Sequence, residues 1–253
     1  MNVEPRKVVG ATMTGGNIEL TRFDTAQELA CGAARRFLAF ANSESCPRLH
    51  VALAGGRIAG RFFSAVAGPP RPEKRALDRI HFFWGDERCV PPEHPESNYG
   101  LARDRLFLPL GIPEDRVHRI RGELSPARAA DEAAAELWRV GVPRQAEQPV
   151  LDLIILGMGE DGHVASLFPN EPMEMMADPA VFRPVVAPKP PPARVTIGYP
   201  AIAAARRIWV LASGPGKQTA LKESLTKSAS TPLGRLLDVC SRVQIFTDLL
   251  PAN

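Results

Sequence analysis

The sequence lacks the features that define several classes of protein. Its four cysteines, Cys31, Cys46, Cys89 and Cys240, form no Cys-x-x-Cys pair and no cysteine–histidine spacing of a zinc site. No apolar stretch approaches the ~20 residues needed to span a bilayer, and residues 1–16 contain no apolar run of signal-peptide length. We therefore expect free thiols, no metal site, no membrane partner and a cytoplasmic location.

A run of charges of one sign is also missing. The chain has 31 Lys and Arg against 28 Asp and Glu, a net charge of +3, and the basic residues are spread along it. This distribution argues against a nucleic-acid partner but is compatible with an anionic small molecule held by basic side chains at strand ends. With 253 residues and 45% hydrophobic content, the chain is large enough for one sizeable core, and we expect a single domain over residues 1–253.

Strand and helix patterns alternate along the chain. Short apolar runs rich in β-branched or aromatic residues predict buried strands over 49–54, 80–84, 151–156, 207–212 and 242–247. Helical composition predicts helices over 24–41, 57–66, 98–107, 126–140 and 215–225. The alternation is typical of an α/β fold with an open, doubly wound, mostly parallel sheet and helices on both faces, a three-layer αβα, Rossmann-like architecture. Ligands bind beyond the carboxyl ends of such strands, so functional residues are expected in the loops that follow them.

The segment 156–169, LGMGEDGHVASLFP, has glycines at the Gly-x-Gly-x-x-Gly spacing of dinucleotide-binding proteins. Those proteins need a long helix next, whereas Pro169 stops any helix seven residues after Gly162. The pattern instead predicts a sharp turn and a short helical turn beginning near Gly162, with Asp161 at the N-cap and His163 in the first turn. A helix dipole there favours a neutral imidazole that can accept a proton. A histidine that only satisfies a polar contact is the alternative.

A second loop, Ala-Gly-Gly, follows the first predicted buried strand. Backbone N–H groups of Gly55 and Gly56 can receive an anion at the start of the next helix. Arg57 follows at once and can clamp a phosphate with its planar guanidinium. A tight strand-to-helix turn explains the same glycines without any ligand.

Three more cations lie in loops after strands. Arg88 ends the segment Gly-Asp-Glu-Arg, and Arg194 and Lys217 follow later in the chain. Lys217 is not a Walker A lysine, because Leu211 and Gln218 stand where glycine and a hydroxyl residue are needed. Each of the three also has an explanation that involves no substrate: Arg88 can belong to a structural ion-pair network, and Arg194 and Lys217 can be solvated surface residues. Their shared position after strands is what makes them candidates.

One segment does not fit the alternation of strands and helices. Residues 169–200 are rich in proline and methionine, and APKPPPA over 187–193 is compatible with neither a helix interior nor a central strand. We expect a long irregular excursion, which serves either as a binding loop or as a disordered flap.

These segments, in this order, resemble the 6-phosphogluconolactonase family over nearly the whole chain. The resemblance is carried by WGDERCVP with SNY downstream, LGMGEDGHVASLFP, PKPPPARVTIGYPAI and the Gly-x-x-Lys of GPGK. It implies a fold shared with glucosamine-6-phosphate deaminases and ribose-5-phosphate isomerases. It also implies hydrolysis of 6-phospho-D-glucono-1,5-lactone to 6-phosphogluconate in the oxidative pentose phosphate pathway, without a metal or cofactor.

The resemblance also implies roles for individual residues. His163 matches the family's general base, and Arg88, Arg194 and Lys217 match positions associated with the substrate's phosphate and oxyanion. One departure lies in the first loop, which usually reads Ser-Gly-Gly-Ser-Thr-Pro in the family and is Ala-Gly-Gly-Arg-Ile-Ala over 54–59 here. The hydroxyls are gone, whereas the backbone amides of the two glycines remain.

A mechanism follows for a lactone, which is an activated ester and needs neither a serine nucleophile nor a metal. We expect His163 to take a proton from the attacking water, Asp161 to orient the ring, and Arg88 or nearby backbone N–H groups to stabilise the oxyanion. Three loops would hold the phosphate of the sugar lactone, through Arg194, Lys217 and the glycine loop Gly55, Gly56 and Arg57. We expect the enzyme to act as a monomer.

Two alternatives remain open from the sequence. An aldose–ketose isomerase or a deaminase on the same fold needs a carboxylate that moves a proton between C1 and C2, and Asp86 or Glu87 is a candidate. A non-catalytic sugar-phosphate sensor is compatible with the altered loop 54–59, although the Asp-Gly-His segment argues against it.

Overall fold

The computed structural model describes residues 7–13, 16–43, 46–69, 77–226 and 230–249. Its strands are β1 (Lys7–Met13), β2 (Gly16–Arg22), β3 (Leu49–Leu53), β4 (Ile80–Trp84), β5 (Asp86–Arg88), β6 (Arg144–Gln145), β7 (Gln148–Pro149), β8 (Leu153–Gly157), β9 (Phe182–Val186), β10 (Ala193–Ile197), β11 (Ile208–Ala212) and β12 (Arg242–Thr247).

The α-helices alternate with the strands of the main sheet. They are α1 (Ala26–Ser43), α2 (Arg57–Ala67), α3 (Asn98–Ala102), α4 (Leu108–Leu110), α5 (Pro126–Val140), α6 (Tyr199–Ala203), α7 (Gln218–Thr226) and α8 (Pro232–Val239). A π-helical turn, Arg103–Phe107, joins α3 to α4, and 3₁₀ turns cover Glu114–Arg116, Met173–Ala177 and Pro215–Lys217. No helix among the described ranges is long and apolar enough to cross a membrane.

The main sheet has seven strands in the order β1-β2-β12-β11-β8-β3-β4. Six of them are parallel, and only β1 runs antiparallel, at the edge beside β2. Every residue of β3 and β11 is buried, which is why these strands are continuous apolar runs in the sequence. The predicted doubly wound α/β fold is confirmed, and each of the five predicted strands begins and ends within two residues of its expected bounds.

The direction of winding reverses between β3 and β8. From β3 the chain passes through α2 to the edge strand β4, whereas β8, β11 and β12 extend the sheet the other way. Because such crossovers are right-handed, the helices of the two halves cover opposite faces. A crevice opens at the carboxyl ends of the strands where the order reverses. The glycine loop after β3 and the histidine loop after β8 both lie at this point.

A small antiparallel sheet, β5-β10-β9, stands beside the main one. It corrects the expectation of an irregular excursion over 169–200, because this segment contains β9 and β10 as well as a 3₁₀ turn. The proline-rich stretch 187–192 between the two strands is without regular structure, as are residues 169–172 and 178–181. Strand β10 pairs with β5 in a register that sets Arg194 opposite Arg88.

Candidate active site

The loop after β8 presents His163 through a turn and not through a helix. The expected helical turn near Gly162 is wrong: Met158 and Val164 form an isolated antiparallel bridge, and the backbone N–H of Gly159 donates to the His163 carbonyl at 2.8 Å. Gly162 has a φ of +78°, a conformation that favours glycine. The helix-dipole argument for a neutral ring therefore does not apply.

The position of the His163 ring is instead set by Asp161. Its Oδ1 accepts hydrogen bonds from the ring Nδ1 of His163 at 2.5 Å and from the backbone N–H of His163 at 3.2 Å. Burial of Asp161 favours its protonated form, but the hydrogen bonds and charge of His163 outweigh burial and lower the pKa of Asp161 to about 2. The carboxylate thus stays ionised and fixes the ring with Nε2 free to accept a proton.

Gly159 makes room for this pair. A Cβ at that position would overlap the ring Nδ1 and Cε1 of His163 and crowd the carboxylate of Asp161. Gly159, the second glycine of the apparent dinucleotide fingerprint, is therefore explained by His163. Because Gly159 has no side chain, the imidazole can fold back over the turn.

A chain of ring and guanidinium contacts leads from His163 to two arginines. The His163 ring lies 5.0 Å from the Phe168 ring, centroid to centroid, and the Arg194 guanidinium carbon lies 5.9 Å from the same Phe168 centroid. Arg194 is buried, and burial together with the neighbouring charge of Arg88 lowers the pKa of Arg194. Two guanidinium groups held this close favour a bound anion between them. Sequence reasoning missed Phe168, which gave no signal apart from its apolar side chain.

A cleft of about 1360 Å³ opens beside these residues. Three of the expected binding residues line it, namely Gly56, Arg57 and Lys217, together with Arg88, whereas Gly55 does not. His163, Asp161 and Arg194 do not line it directly, but Glu160, two residues before Gly162, does. The structure therefore brings the predicted residues together in two groups. Arg57 and Lys217 lie in the cleft. His163 and Arg194 lie at the side of the cleft, next to Arg88.

The glycine loop after β3 is built for close approach of the backbone. Gly56 has a φ of +89° and precedes α2, whose first turn has neither a side-chain cap nor an acidic residue. A Cβ on Gly55 would overlap the carboxamide of Asn98, which therefore packs against the back of the loop. The free N–H groups and the helix dipole make this end of α2 favourable for an anion.

Lys217 ends the 3₁₀ turn after β11 and is half-buried. Burial and the nearby charge of Arg57 lower the pKa of Lys217, while Glu160 and Asp248 act in the opposite direction. Neither Lys217 nor Arg57 forms an ion pair with any residue of the described ranges. The Asp248 carboxylate is engaged by the Ser213 hydroxyl and the Gly214 N–H.

The two carboxylates before Arg88 serve the local structure. Glu87 is 2% exposed and accepts from the backbone N–H groups of Arg88, Asn98 and Tyr99 at 2.7–2.8 Å, which fixes the start of α3. Burial raises the pKa of Glu87 to about 7, against the effect of these donors. Asp86 is also buried and accepts from the Ser166 hydroxyl at 2.7 Å. Neither lines the cleft, so both are hydrogen-bonding partners within the protein.

Arg88 occupies the junction of the two groups. Its Nη1 lies 3.2 Å from Glu96 Oε2, and its buried Nε has no hydrogen-bond partner among the residues that the structure describes. An unpaired buried donor costs free energy. No cluster of three or more potential metal ligands occurs among the described residues.

Comparison with known proteins identifies the family to which the chain is similar. A family model for glucosamine-6-phosphate isomerases/6-phosphogluconolactonase matches residues 24–244. The 6-phosphogluconolactonase of Homo sapiens is 39% identical over 223 residues, 83% of each chain. That of Haemophilus influenzae is 38% identical over 212 residues, 82% of this chain and 85% of its own. A solved 6-phosphogluconolactonase from Trypanosoma cruzi matches with a TM-score of 0.78 and 26% identity, covering 90% of this chain and 93% of that chain. The chain therefore belongs to the glucosamine-6-phosphate isomerase/6-phosphogluconolactonase family.

Proposed function

We propose that the protein hydrolyses 6-phospho-D-glucono-1,5-lactone to 6-phosphogluconate, as a 6-phosphogluconolactonase of the pentose phosphate pathway. The observation that carries the proposal is the hydrogen-bonded pair His163–Asp161, held next to an arginine pair at the side of a cationic cleft. The names of relatives that are 37–39% identical over most of the chain support the same reaction.

In the first step, Nε2 of His163 takes a proton from a water molecule as its oxygen attacks the C1 carbonyl of the lactone. Asp161 accepts from Nδ1–H and stabilises the imidazolium that forms. The guanidinium of Arg88, together with Arg194, stabilises the negative charge that develops on the carbonyl oxygen. When the tetrahedral intermediate collapses, the C1–O bond to the ring oxygen breaks and the imidazolium returns its proton to that oxygen.

The phosphate is held at the other end of the substrate. Arg57, Lys217 and the N–H groups of Gly56 and its neighbours line one end of the cleft and offer two cations and a helix N-terminus. In this assignment Arg57 supplies charge where relatives have hydroxyl residues. Arg194 then acts on the carbonyl oxygen with Arg88, because the β5–β10 register sets these two arginines opposite each other.

Hydrolysis accounts for the site better than isomerisation or deamination does. Those reactions need a carboxylate free to move a proton on the sugar, and both Asp86 and Glu87 are buried and occupied by hydrogen bonds away from the cleft. We therefore expect no turnover of glucosamine 6-phosphate.

A lactonase assay coupled to oxidation of 6-phosphogluconate, corrected for spontaneous hydrolysis of the lactone, tests the proposal. Wild type should be active, and His163→Ala should lose about 10²–10⁴-fold in kcat, because a general base contributes roughly that factor. Lys222→Ala, a change at an exposed residue of α7 that does not line the cleft, serves as the control and should keep wild-type activity. Full activity of His163→Ala would disprove the assignment of the base, and an inactive wild type would disprove the function.

A further inference from the structure

The cleft extends well past the residues that the reaction uses. Its floor continues along the exposed face of α2, where Arg57, Arg61, Ser64 and Gly68 follow one another at helical spacing. Eleven residues of helix cover about 16 Å, which is longer than one phosphorylated sugar needs. The far part of the cleft therefore has no role in the proposed hydrolysis.

Arg105 crosses α2 in this far part. It lies in the π-helical turn Arg103–Phe107, a kind of turn that is frequent at functional sites. A Cβ on Gly60 would lie 3.5 Å from Cδ and 3.6 Å from Nε of Arg105, so the stem of Arg105 rests against the bare backbone of Gly60. Its Nη1 lies 3.4 Å from the Ser64 hydroxyl, and this brings the guanidinium to the same face as Arg61.

The cations of this face have no acidic partner at ion-pair distance among the residues that the structure describes. On the rest of the described surface, arginines commonly pair with carboxylates, as in Arg103–Asp104, Arg119–Glu123, Arg128–Glu132, Arg139–Glu136 and Arg144–Glu147. Arg61 and Arg105 form no ion pair with any described residue, and their contacts are with the neutral Gln27 and Ser64. Of the described acidic residues in the cleft, Glu96 is paired with Arg88, and Glu160 and Asp248 act on Lys217.

We propose that Arg61, Ser64 and Arg105 form a second anion subsite, so that the cleft binds a ligand with a chain of phosphoryl groups. One phosphoryl group occupies the Gly56–Arg57–Lys217 end. The chain then follows α2, since Arg61 stands one helical turn, about 6 Å, beyond Arg57. A single phosphate reaches only one of the two subsites. A bound polyphosphate chain excludes a sugar phosphate, because both use the first subsite.

Calorimetric titration with inorganic tripolyphosphate and with inorganic phosphate, in a buffer without divalent cations, tests this subsite. Wild type should bind tripolyphosphate at least about tenfold more tightly than phosphate. Arg61→Gln and Arg105→Gln should each remove most of that difference, because a guanidinium–phosphate hydrogen bond is charge-assisted. Their affinity for phosphate should stay close to that of wild type.

Arg103→Gln is the matched control, since Arg103 lies two residues from Arg105, is paired with Asp104 and does not line the cleft. Its affinity for tripolyphosphate should remain that of wild type. Equal losses in Arg103→Gln and Arg105→Gln, or equal wild-type affinities for the two anions, would overturn the subsite. Because the readout is binding, a failure of the lactonase proposal leaves this result interpretable, and the reverse is also true.

Discussion

At the scale of single residues, the cations around the cleft form two pairs. Lys217 and Arg57 lie close enough for the charge of one to lower the pKa of the other, and neither has an acidic partner at ion-pair distance within the described ranges. Arg88 and Arg194 stand opposite each other on the paired strands β5 and β10. Arg194 lies next to the ring of Phe168, which in turn contacts His163. We therefore assign the first pair to the phosphate and the second pair to the carbonyl oxygen.

This division predicts the effect of Lys217→Ala on substrates with and without a phosphate. KM for the phosphorylated lactone should rise about tenfold or more with little change in kcat, since a charge-assisted contact is lost in the ground state and transition state alike. Hydrolysis of unphosphorylated 1,5-gluconolactone should be unaffected. The measurement is initial-rate kinetics on both lactones.

Lys222→Ala is a suitable comparison for Lys217→Ala, because Lys222 is exposed on α7 and does not line the cleft. It should leave both substrates unaffected. An equal loss on both lactones in Lys217→Ala would contradict a role at the phosphate.

The identity of these residues could be predicted from the sequence, because cations and glycines directly after apolar runs are visible there. Their grouping could not, because it depends on the pairing of β5 with β10, two strands about a hundred residues apart, and β5 consists of charged residues only. Phe168 and Asn98 were missed for the same reason. Each acts through a contact that only the fold creates.

At the scale of elements, the turn after β8 is shaped around the imidazole. We expect Gly159→Ala to lower kcat nearly as much as His163→Ala does, because the added methyl group would occupy the position of the ring. Gly157→Ala is the comparison, since a Cβ there meets only the carbonyl of Gly55 at an ordinary 3.7 Å. Thermal unfolding should show that both variants fold. An active Gly159→Ala would show that the ring position is not critical.

Glu87 links the start of α3 to the position of Arg88. Its two carboxylate oxygens accept four hydrogen bonds, three from backbone N–H groups and one from the Ser97 hydroxyl. Glu87→Gln replaces one acceptor oxygen by a donor, so at pH 8 the free energy of unfolding should fall by about 1–3 kcal/mol. Urea unfolding measures this. The exposed Glu93→Gln is the control, and equal stability of the two variants would contradict the capping role.

Elements were predictable where burial on both faces imposes an apolar run, as in the five central strands. They were not predictable where the pattern is weak. Strand β2 has only two large apolar residues, Ile18 and Leu20, and β9 and β10 flank a proline-rich stretch that resembles a loop. The helical turn expected after Gly162 is absent because Val164 pairs back with Met158.

At the scale of the whole molecule, a buried histidine cluster lies away from the cleft. Nδ1 of His81 lies 2.9 Å from Nε2 of His118, whose Nδ1 lies 2.8 Å from Glu136 Oε1. This network assigns His118 Nδ1–H as the donor to Glu136, and His81 as the donor to His118. A second proton on His118 would occupy Nε2 and break the contact between the rings, whereas a second proton on His81 would bind at Nε2 and place a charge within the cluster.

This cluster predicts a loss of stability in acid. Burial, followed by the charges of His118 and His50, lowers the pKa of His81 to about 4, below its value of about 6.5 in the unfolded chain. The unfolded chain therefore binds more protons between these values, and stability falls as the pH drops from about 6.5 towards 4. His81→Asn should flatten this dependence. Urea midpoints at pH 7 and pH 4.5 measure it.

His94→Asn is the control for His81→Asn, because His94 is exposed and lies outside the histidine cluster. It should reproduce the wild-type dependence on pH. Identical changes of the midpoint with pH in wild type and His81→Asn would mean that other groups cause the acid sensitivity.

The reversal of winding between β3 and β8 determines how late in synthesis the cleft can form. The residues around the cleft are drawn from six separated stretches, from α1 to Asp248 beyond β12. During synthesis on a ribosome, the glycine loop emerges long before Lys217 and Asp248. A nascent chain therefore contains only some of the residues proposed to bind the phosphate, and its cleft is incomplete. Catalytic competence therefore arrives late, when nearly the entire polypeptide is available to close the sheet.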